Sequence, residues 1–513
     1  MGSPTLVEFV VEPSCADESP NARITTFRRS IVSQDAEIQI PDTDYDFVVV
    51  ANRLPVDRIT NEDGSPGWRR SPGGLVTALA PVMAASTGAW VGWHGATDEV
   101  LEDFDKDEIH MVPVPLSEED LQLYYEGFSN STLWPLYHDV IVPPEYHRTW
   151  WENYRKVNRR FADAVLRVAA RGATVWVHDY QLQLVPKMLR EARPDLRIGF
   201  FNHIPFPPAS LFSQLPWRRQ ILEGLAGADL VGFQRETDAA NFVRGLRRYT
   251  NYSVKGHEAT PDASHSVQNV CRAAAHPISI DTADVAELSK DPQIQERARQ
   301  IREGLGNPKT VMLGVDRLDY TKGIRHRLKA YGEILADKQL KAGEVCLIQV
   351  ASPSRENVDR YIQLRNQVEL MVGQITGQHD TLSHTTVRYL HHSYPMREMI
   401  AMYLAADVLL VTSLRDGMNL VAKEYVAAHQ DGKGVLVLSE FTGAADQLTQ
   451  AVLVNPHDID GMKQRIVDAA NMSPQEQSRR MRRMFRHLEE HDVMRWSNKF
   501  LEELAAIKSR VKA

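Results

Sequence analysis

Residues 416–424 read Asp416-Gly417-Met418-Asn419-Leu420-Val421-Ala422-Lys423-Glu424. The apolar, β-branched run before them, 407–412, has the pattern of a fully buried strand. The spacing predicts a helix over 420–429 and the next strand over 434–438. Residues 416–419 therefore form a strand-to-helix loop at the carboxyl end of a parallel strand, where open α/β sheets bind ligands. Gly417 permits close backbone approach, and the N–H groups of Leu420 and Val421 at a helix N-terminus suit an anion. Glu424 stands one turn beyond Leu420 on the same face, an acid suited to a polyol such as ribose. A capped helix with a solvated glutamate accounts for the same residues less specifically.

A second loop, Asp316-Arg317-Leu318-Asp319-Tyr320-Thr321-Lys322-Gly323, follows the apolar run 310–315. Arg317 as a planar fork and Lys322 as a point charge suit a diphosphate. An internal cluster with Asp316 and Asp319 competes with that reading. Taken together, a helix N-terminus, two cations, Glu424 for ribose and Asp416 for hydroxyls describe a nucleoside diphosphate sugar. Arg53, leaving the strand predicted over 47–51, and Arg355, beyond the strand over 345–350, supply charge for a separate phosphate. An activated sugar meeting a sugar phosphate across a cleft implies glycosyl transfer.

Other strand ends carry polar or proline-fixed residues. Trp93 closes the strand at 89–93, His178-Asp179-Tyr180 follows 174–177, and Asn202-His203-Ile204-Pro205 follows 197–201. Gly73-Gly74 precedes a helix over 75–84 and offers backbone N–H groups, but it is not the GxGxxG of a dinucleotide fold. Tyr124, Tyr125 and Trp134 lie in an aromatic stretch and read as core or as a ligand platform.

Positioning these loops takes strand–helix alternation twice over. The expected architecture is α/β, with two Rossmann-like, doubly wound sheets facing a central cleft. Residues 1–45 hold no periodicity and read as a flexible extension. Residues 46–278 are assigned to a first, acceptor domain and 279–480 to a second, nucleotide-sugar domain. A C-terminal helix over 481–513 would cross back to the first. A helix is expected over 116–125, with Ser117 and Asp120 at capping-box spacing. Another is expected over 146–170, with Trp150, Tyr154, Val157 and Phe161 at helical period. Residues 251–275 read as irregular, with a strand over 274–280, and the chain reads as helical from Pro474 onward.

The 513 residues carry a net charge of -8, which argues against nucleic-acid or membrane partners. Cys15, Cys271 and Cys346 lack metal spacing and fit a reducing compartment, hence a cytoplasmic chain. No metal site is expected. His391-His392 has no partner at ligand spacing, Asp42-Thr43-Asp44 precedes a strand instead of following one, and Leu488 stands between His487 and His491 where a zinc protease carries glutamate.

The motifs at Asn52-Arg53, 71–75, 124–130, 133–135, His178-Asp179-Tyr180, 203–207, 316–323, 352–355 and 415–425 resemble those of the trehalose-6-phosphate synthases over about residues 46–500. The resemblance implies the GT-B fold and metal-independent transfer of glucose, with retention, from ADP-glucose or UDP-glucose to glucose 6-phosphate. No cofactor is implied, and a homo-oligomer is. Carried over by motif, Arg53, Tyr125, Asp179, Arg355 and Trp93 hold glucose 6-phosphate. Gly73, Gly74, Arg317, Lys322, Tyr394, Asp416, Gly417, Met418, Asn419, Leu420, Val421 and Glu424 bind the nucleotide sugar. Asp416, Arg317, Lys322 and His203 act at the reacting centre, and Trp134 and Ile204 shape anomer selectivity. A glycogen-synthase-like transferase and a non-catalytic sugar-phosphate sensor are the competing readings.

Overall fold

The structure, a computed structural model, describes residues 45–60, 66–71, 76, 79, 83, 88–263, 269–356 and 358–507. Gly73 and Gly74, Asp42-Thr43-Asp44 and Cys15 lie outside them, and so does most of the helix predicted over 75–84.

Among the described residues, two sheets carry the fold. The first has ten strands, with a parallel centre running from Leu230–Phe233 through Arg197–Phe201, Ala169–His178 and Tyr45–Arg53 to Gly88–Trp93. The second has six parallel strands, in the order Val387–Leu390, Val345–Ser352, Thr310–Arg317, Val408–Val411, Val435–Ser439, Val452–Val454. Their centres are apolar on both faces because helices cover both. On the first sheet, Val48, Val50, Val91, Val175 and Val177 pack on one side, while Val49, Trp90, Trp176 and Phe201 pack on the other. The strands that deliver the loops read from the sequence are all present.

Several expectations need correction. Residues 251–275 are not irregular: Tyr252–Lys255 and Glu258–Pro261 form a hairpin that Cys271–Ala275 joins to the first sheet. The strand expected over 274–280 ends at Ala275, because Pro277 has no N–H to continue a ladder. The segment after Pro55 pairs as a hairpin, Val56–Thr60 with Pro66–Arg70. The capping box at Ser117 and Asp120 forms, but the helix it opens does not stop at Tyr125. It widens into a π-helix over Leu121–Leu133 and continues through Trp134–Tyr137. The long helix spans Arg148–Val168 and buries Trp151, not Trp150, beside Tyr154, Val157 and Phe161. The terminal helix is two, Pro474–Glu490 and Val493–Ala506, with Asp492 capping the second.

That last helix packs on the first sheet. The Phe500 ring stacks on Trp176 at 4.5 Å, and Trp496 meets Phe201 edge-on at 5.1 Å. No described helix is long and apolar enough to cross a membrane.

Candidate active site

Gly323 ends the Arg317–Lys322 loop with φ 66, and a Cβ there would overlap the Thr412 carbonyl oxygen. This brings the loop against the neighbouring strand end, where the Leu414 N–H donates to Thr321 O at 2.7 Å. Lys322 is thereby placed with its Nζ 2.6 Å from Asp416 Oδ2. The same oxygen accepts from Asn419 Nδ2 at 3.2 Å and Ser413 Oγ at 3.3 Å. Burial raises the Asp416 pKa, but the Lys322 charge and these hydrogen bonds outweigh it, and the carboxyl is held below its usual range. Asp416 is thus an ionised, fixed acceptor.

Asn419, at φ 127, turns the chain into the helix Leu420–Ala428 and caps it through the Ala422 N–H at 2.9 Å. The N–H groups of Leu420 and Val421 keep no protein acceptor among the described residues. Glu424, on the same helix, accepts from the Tyr403 hydroxyl at 2.7 Å, and burial raises its pKa despite that bond. Met418 is buried beneath the loop. The competing cluster within the loop makes no ion pair of its own among the described residues: Asp316 pairs instead with Arg327 at 2.7 Å and Asp319 with Arg355 at 2.9 Å. Arg317 is left exposed, with its guanidinium 5.3 Å from the Trp134 ring centre and no ion pair among the described residues.

Trp134 and Arg355 join the two halves. Arg355 lies 4.1 Å over the Trp134 ring, and its Nη2 donates to the Tyr180 hydroxyl at 3.3 Å. Burial would raise the Asp319 pKa, but the charges of Arg355 and then Arg317 bring it to about 2. Tyr361 closes this cluster through its hydroxyl on Asp319 at 3.1 Å.

On the facing side, Asp179 sits at φ 74 with its Oδ1 accepting from the backbone N–H of Tyr180 at 3.0 Å and of His203 at 3.2 Å. Burial outweighs those bonds and the charges of Arg317 and Arg355, and raises its pKa to about 6. His203 and His178 face each other at 3.1 Å, and burial holds His203 down to about 3, so both rings are neutral at pH 7. The backbone of Gly417 lies against His203 and Ile204, so close that a Cβ would overlap the His203 carbonyl oxygen. Arg53 stacks on Trp93 at 5.0 Å with a long ion pair to Asp57 at 3.4 Å. Tyr125 is half-buried and within electrostatic range of Tyr180 and Arg355. Tyr394 meets the edge of His392 and packs against the core, and among the described residues no hydrogen bond or ion pair joins it to the Lys322–Asp416 cluster.

Sequence reasoning missed His138 and Arg327. The buried His138 packs 4.1 Å from Trp134 and donates through Nδ1 to its carbonyl at 2.7 Å. Burial first, opposed by that bond and the Asp319 charge, sets its pKa near 4. Its spacing from Trp134, i to i+4, was the available signal once helix continued past Tyr125.

Comparison places this geometry among known proteins. The family model described as Glycosyltransferase family 20 matches residues 45–506. The trehalose-6-phosphate synthase of Mycolicibacterium paratuberculosis is 56% identical over 468 residues, covering 90% of this chain and 95% of that protein. That of Mycobacterium tuberculosis is 53% identical over 491 residues, covering 93% and 98%. A solved E. coli structure bound with UDP-2-fluoro glucose aligns with TM-score 0.81 at 34% identity, over 90% of this chain and 99% of that one. A UDP-forming α,α-trehalose-phosphate synthase from Burkholderia xenovorans, in complex with glucose-6-phosphate, aligns with TM-score 0.81 at 33% identity, over 90% and 100%. The chain belongs to glycosyltransferase family 20, among the trehalose-6-phosphate synthases.

Proposed function

We propose that this chain transfers glucose, with retention, from a nucleoside diphosphate glucose to glucose 6-phosphate, giving α,α-trehalose 6-phosphate. The observation that carries the reading is the apposition of Lys322–Asp416 and the free helix N–H groups to Asp179, His203 and Arg355 across one cleft. The donor diphosphate lies against Arg317, Lys322 and the Leu420 and Val421 N–H groups, its glucose hydroxyls on Asp416 and its ribose on Glu424. Glucose 6-phosphate takes Arg53, Tyr125, Trp93 and Arg355 for its phosphate side and Asp179 for hydroxyls. Trp134 and Ile204 wall the space between the two sugars.

In this reading Asp416, held by Lys322, binds sugar hydroxyls and does not attack, so retention takes a front-face route. The departing diphosphate oxygen deprotonates the incoming hydroxyl on the same face of the sugar. The carbon–oxygen bond to diphosphate breaks as the new glycosidic bond forms. Catalysis rests on positioning and on stabilising the departing charge. His203, neutral, orients through its ring and carbonyl and passes no proton to or from the reacting groups. ADP-glucose and UDP-glucose are both admitted as donors, no metal is required, and the enzyme works as a cytoplasmic homo-oligomer. Nucleotide release measured with ADP-, UDP- and GDP-glucose, each with and without glucose 6-phosphate, tests the reading. Release that ignores glucose 6-phosphate with every donor would sink it, and release driven by a glucan would favour the glycogen-synthase-like alternative.

Two variants separate the roles on the donor side. Asp416→Ala is expected to abolish transfer while still binding free nucleotide, and Glu424→Ala to weaken the nucleotide itself. Titration calorimetry with the nucleoside diphosphate reads both, and equal losses of nucleotide affinity would merge the two roles. On the acceptor side, a proton added to Asp179 below pH about 6 removes an acceptor for sugar hydroxyls. The kcat/KM for glucose 6-phosphate should therefore fall about tenfold per unit on the acid side. A phosphate monoester also titrates near 6. Asp179→Asn must therefore flatten part of the acid limb, and an unchanged limb would assign all of it to the substrate.

A further inference from the structure

The chain passes between the two halves twice, through residues 276–281 and again just before Val493. A cavity of about 140 Å³ lies where the passages meet, and its polar lining is His276, Gln447, His491, Asp492, Arg495 and Lys499. That is well above the roughly 10–15 Å³ of such space that one water needs, and it admits a small ion with its waters.

Two features of the lining are unbalanced, although Arg495 Nη1 donates to the Glu490 carbonyl at 2.8 Å. Arg495 and Lys499 stand one helical turn apart, a like-charge pair that disfavours its own helix. Both are exposed, and neither has an ion pair among the described residues. His276 is 2% exposed, yet neither ring nitrogen has a hydrogen-bond partner among the described residues; Nε2 merely lies 3.1 Å from Glu503 Oε2. Burial, then the charges of Lys499 and Arg272, hold its pKa to about 4, so a neutral N–H is available to donate. The one acid in the lining, Asp492, is committed to the Arg495 backbone N–H at 2.8 Å.

We propose that this cavity binds a small tetrahedral oxyanion, inorganic phosphate or sulfate, between Arg495, Lys499 and His276. The ion relieves the like-charge pair and accepts a hydrogen bond from the buried imidazole, whose Nε2 otherwise faces the Glu503 carboxylate without one. Its position has a mechanical meaning. Gln447, in the same lining, accepts from Lys423 Nζ at 2.6 Å, and Lys423 also donates to Ile278 O at 2.6 Å. The ion thus braces the linker, the crossing helix and the strut to the Leu420–Ala428 helix at one point.

The test is thermal unfolding of the intact chain at pH 7 in phosphate and, separately, in sulfate, against chloride at matched ionic strength. A saturable rise in Tm is expected, at least halved in Arg495→Ala/Lys499→Ala, with each variant's chloride Tm as its own baseline. The rise should persist in Arg53→Ala, which removes a phosphate grip on the acceptor side. An equal rise in wild type and the double variant overturns the site. So does a rise lost in Arg53→Ala and kept in the double variant. Activity is not read, so the outcome is independent of the transfer reaction.

Discussion

Replacing Arg317 by alanine is expected to lower kcat by on the order of 10²–10³ while leaving the thermal midpoint unchanged. Removing one preorganised donor to a developing charge costs roughly 2.7–4 kcal/mol of transition-state stabilisation. The structure separates this effect from stability, because the Arg317 side chain is exposed, lies 5.3 Å from the Trp134 ring centre and makes no ion pair among the described residues. Arg317→Lys keeps the charge without the planar fork and should recover part of the rate. Steady-state nucleotide release at saturating donor measures it. A turnover within a few-fold of wild type would remove Arg317 from the diphosphate site.

Ten residues on, Arg327 should behave in the opposite way. Its side chain is fully buried, with Nη1 on Asp316 at 2.7 Å and Gln349 at 2.8 Å, and Nε on Thr412 at 3.1 Å. It ties two neighbouring strands to the segment that leaves a third, beneath the donor loops. Arg327→Met leaves Asp316 buried without its cation, a change that costs about 3–5 kcal/mol in such pairs. The expected result is a large drop in the unfolding midpoint, measured by circular dichroism. Adding Asp316→Asn should return part of the loss, because the stranded charge and not the missing contact is then most of the penalty. A single variant as stable as wild type would mean that the pair contributes nothing net.

The contrast also explains what was legible in the sequence. Arg317, Lys322 and Asp416 follow apolar β-branched runs, and a strand end in a parallel sheet is where ligands bind, so their placement could be read without coordinates. Arg327 lies inside a helix, where an arginine usually means a solvated face. Its burial depends on Asp316 and Gln349, from two strands, and on Thr412, just past the end of a third. Tyr124 and Tyr125 were ambiguous for another reason. The π-helix over Leu121–Leu133 does not follow the 3.6-residue period on which a face is assigned. It buries Tyr124, whose hydroxyl donates to Asn52 at 2.7 Å, and leaves the next residue, Tyr125, half-buried. The hairpin at Tyr252–Pro261 escaped notice because its alternation is short and rich in charge.

The helix Val493–Ala506 sets an order of assembly. One face of the first sheet, at Trp176 and Phe201, is covered by Trp496 and Phe500, which are translated only after the whole second half. During synthesis the first half emerges early but keeps these aromatic rings in water until the last helix leaves the ribosome. Domains usually fold as units as they emerge, N-terminal first. Here the early unit waits for the late one. A ribosome stalled before residue 493 would carry a nascent chain with an unfinished core and an exposed apolar face, a substrate for chaperones and proteases.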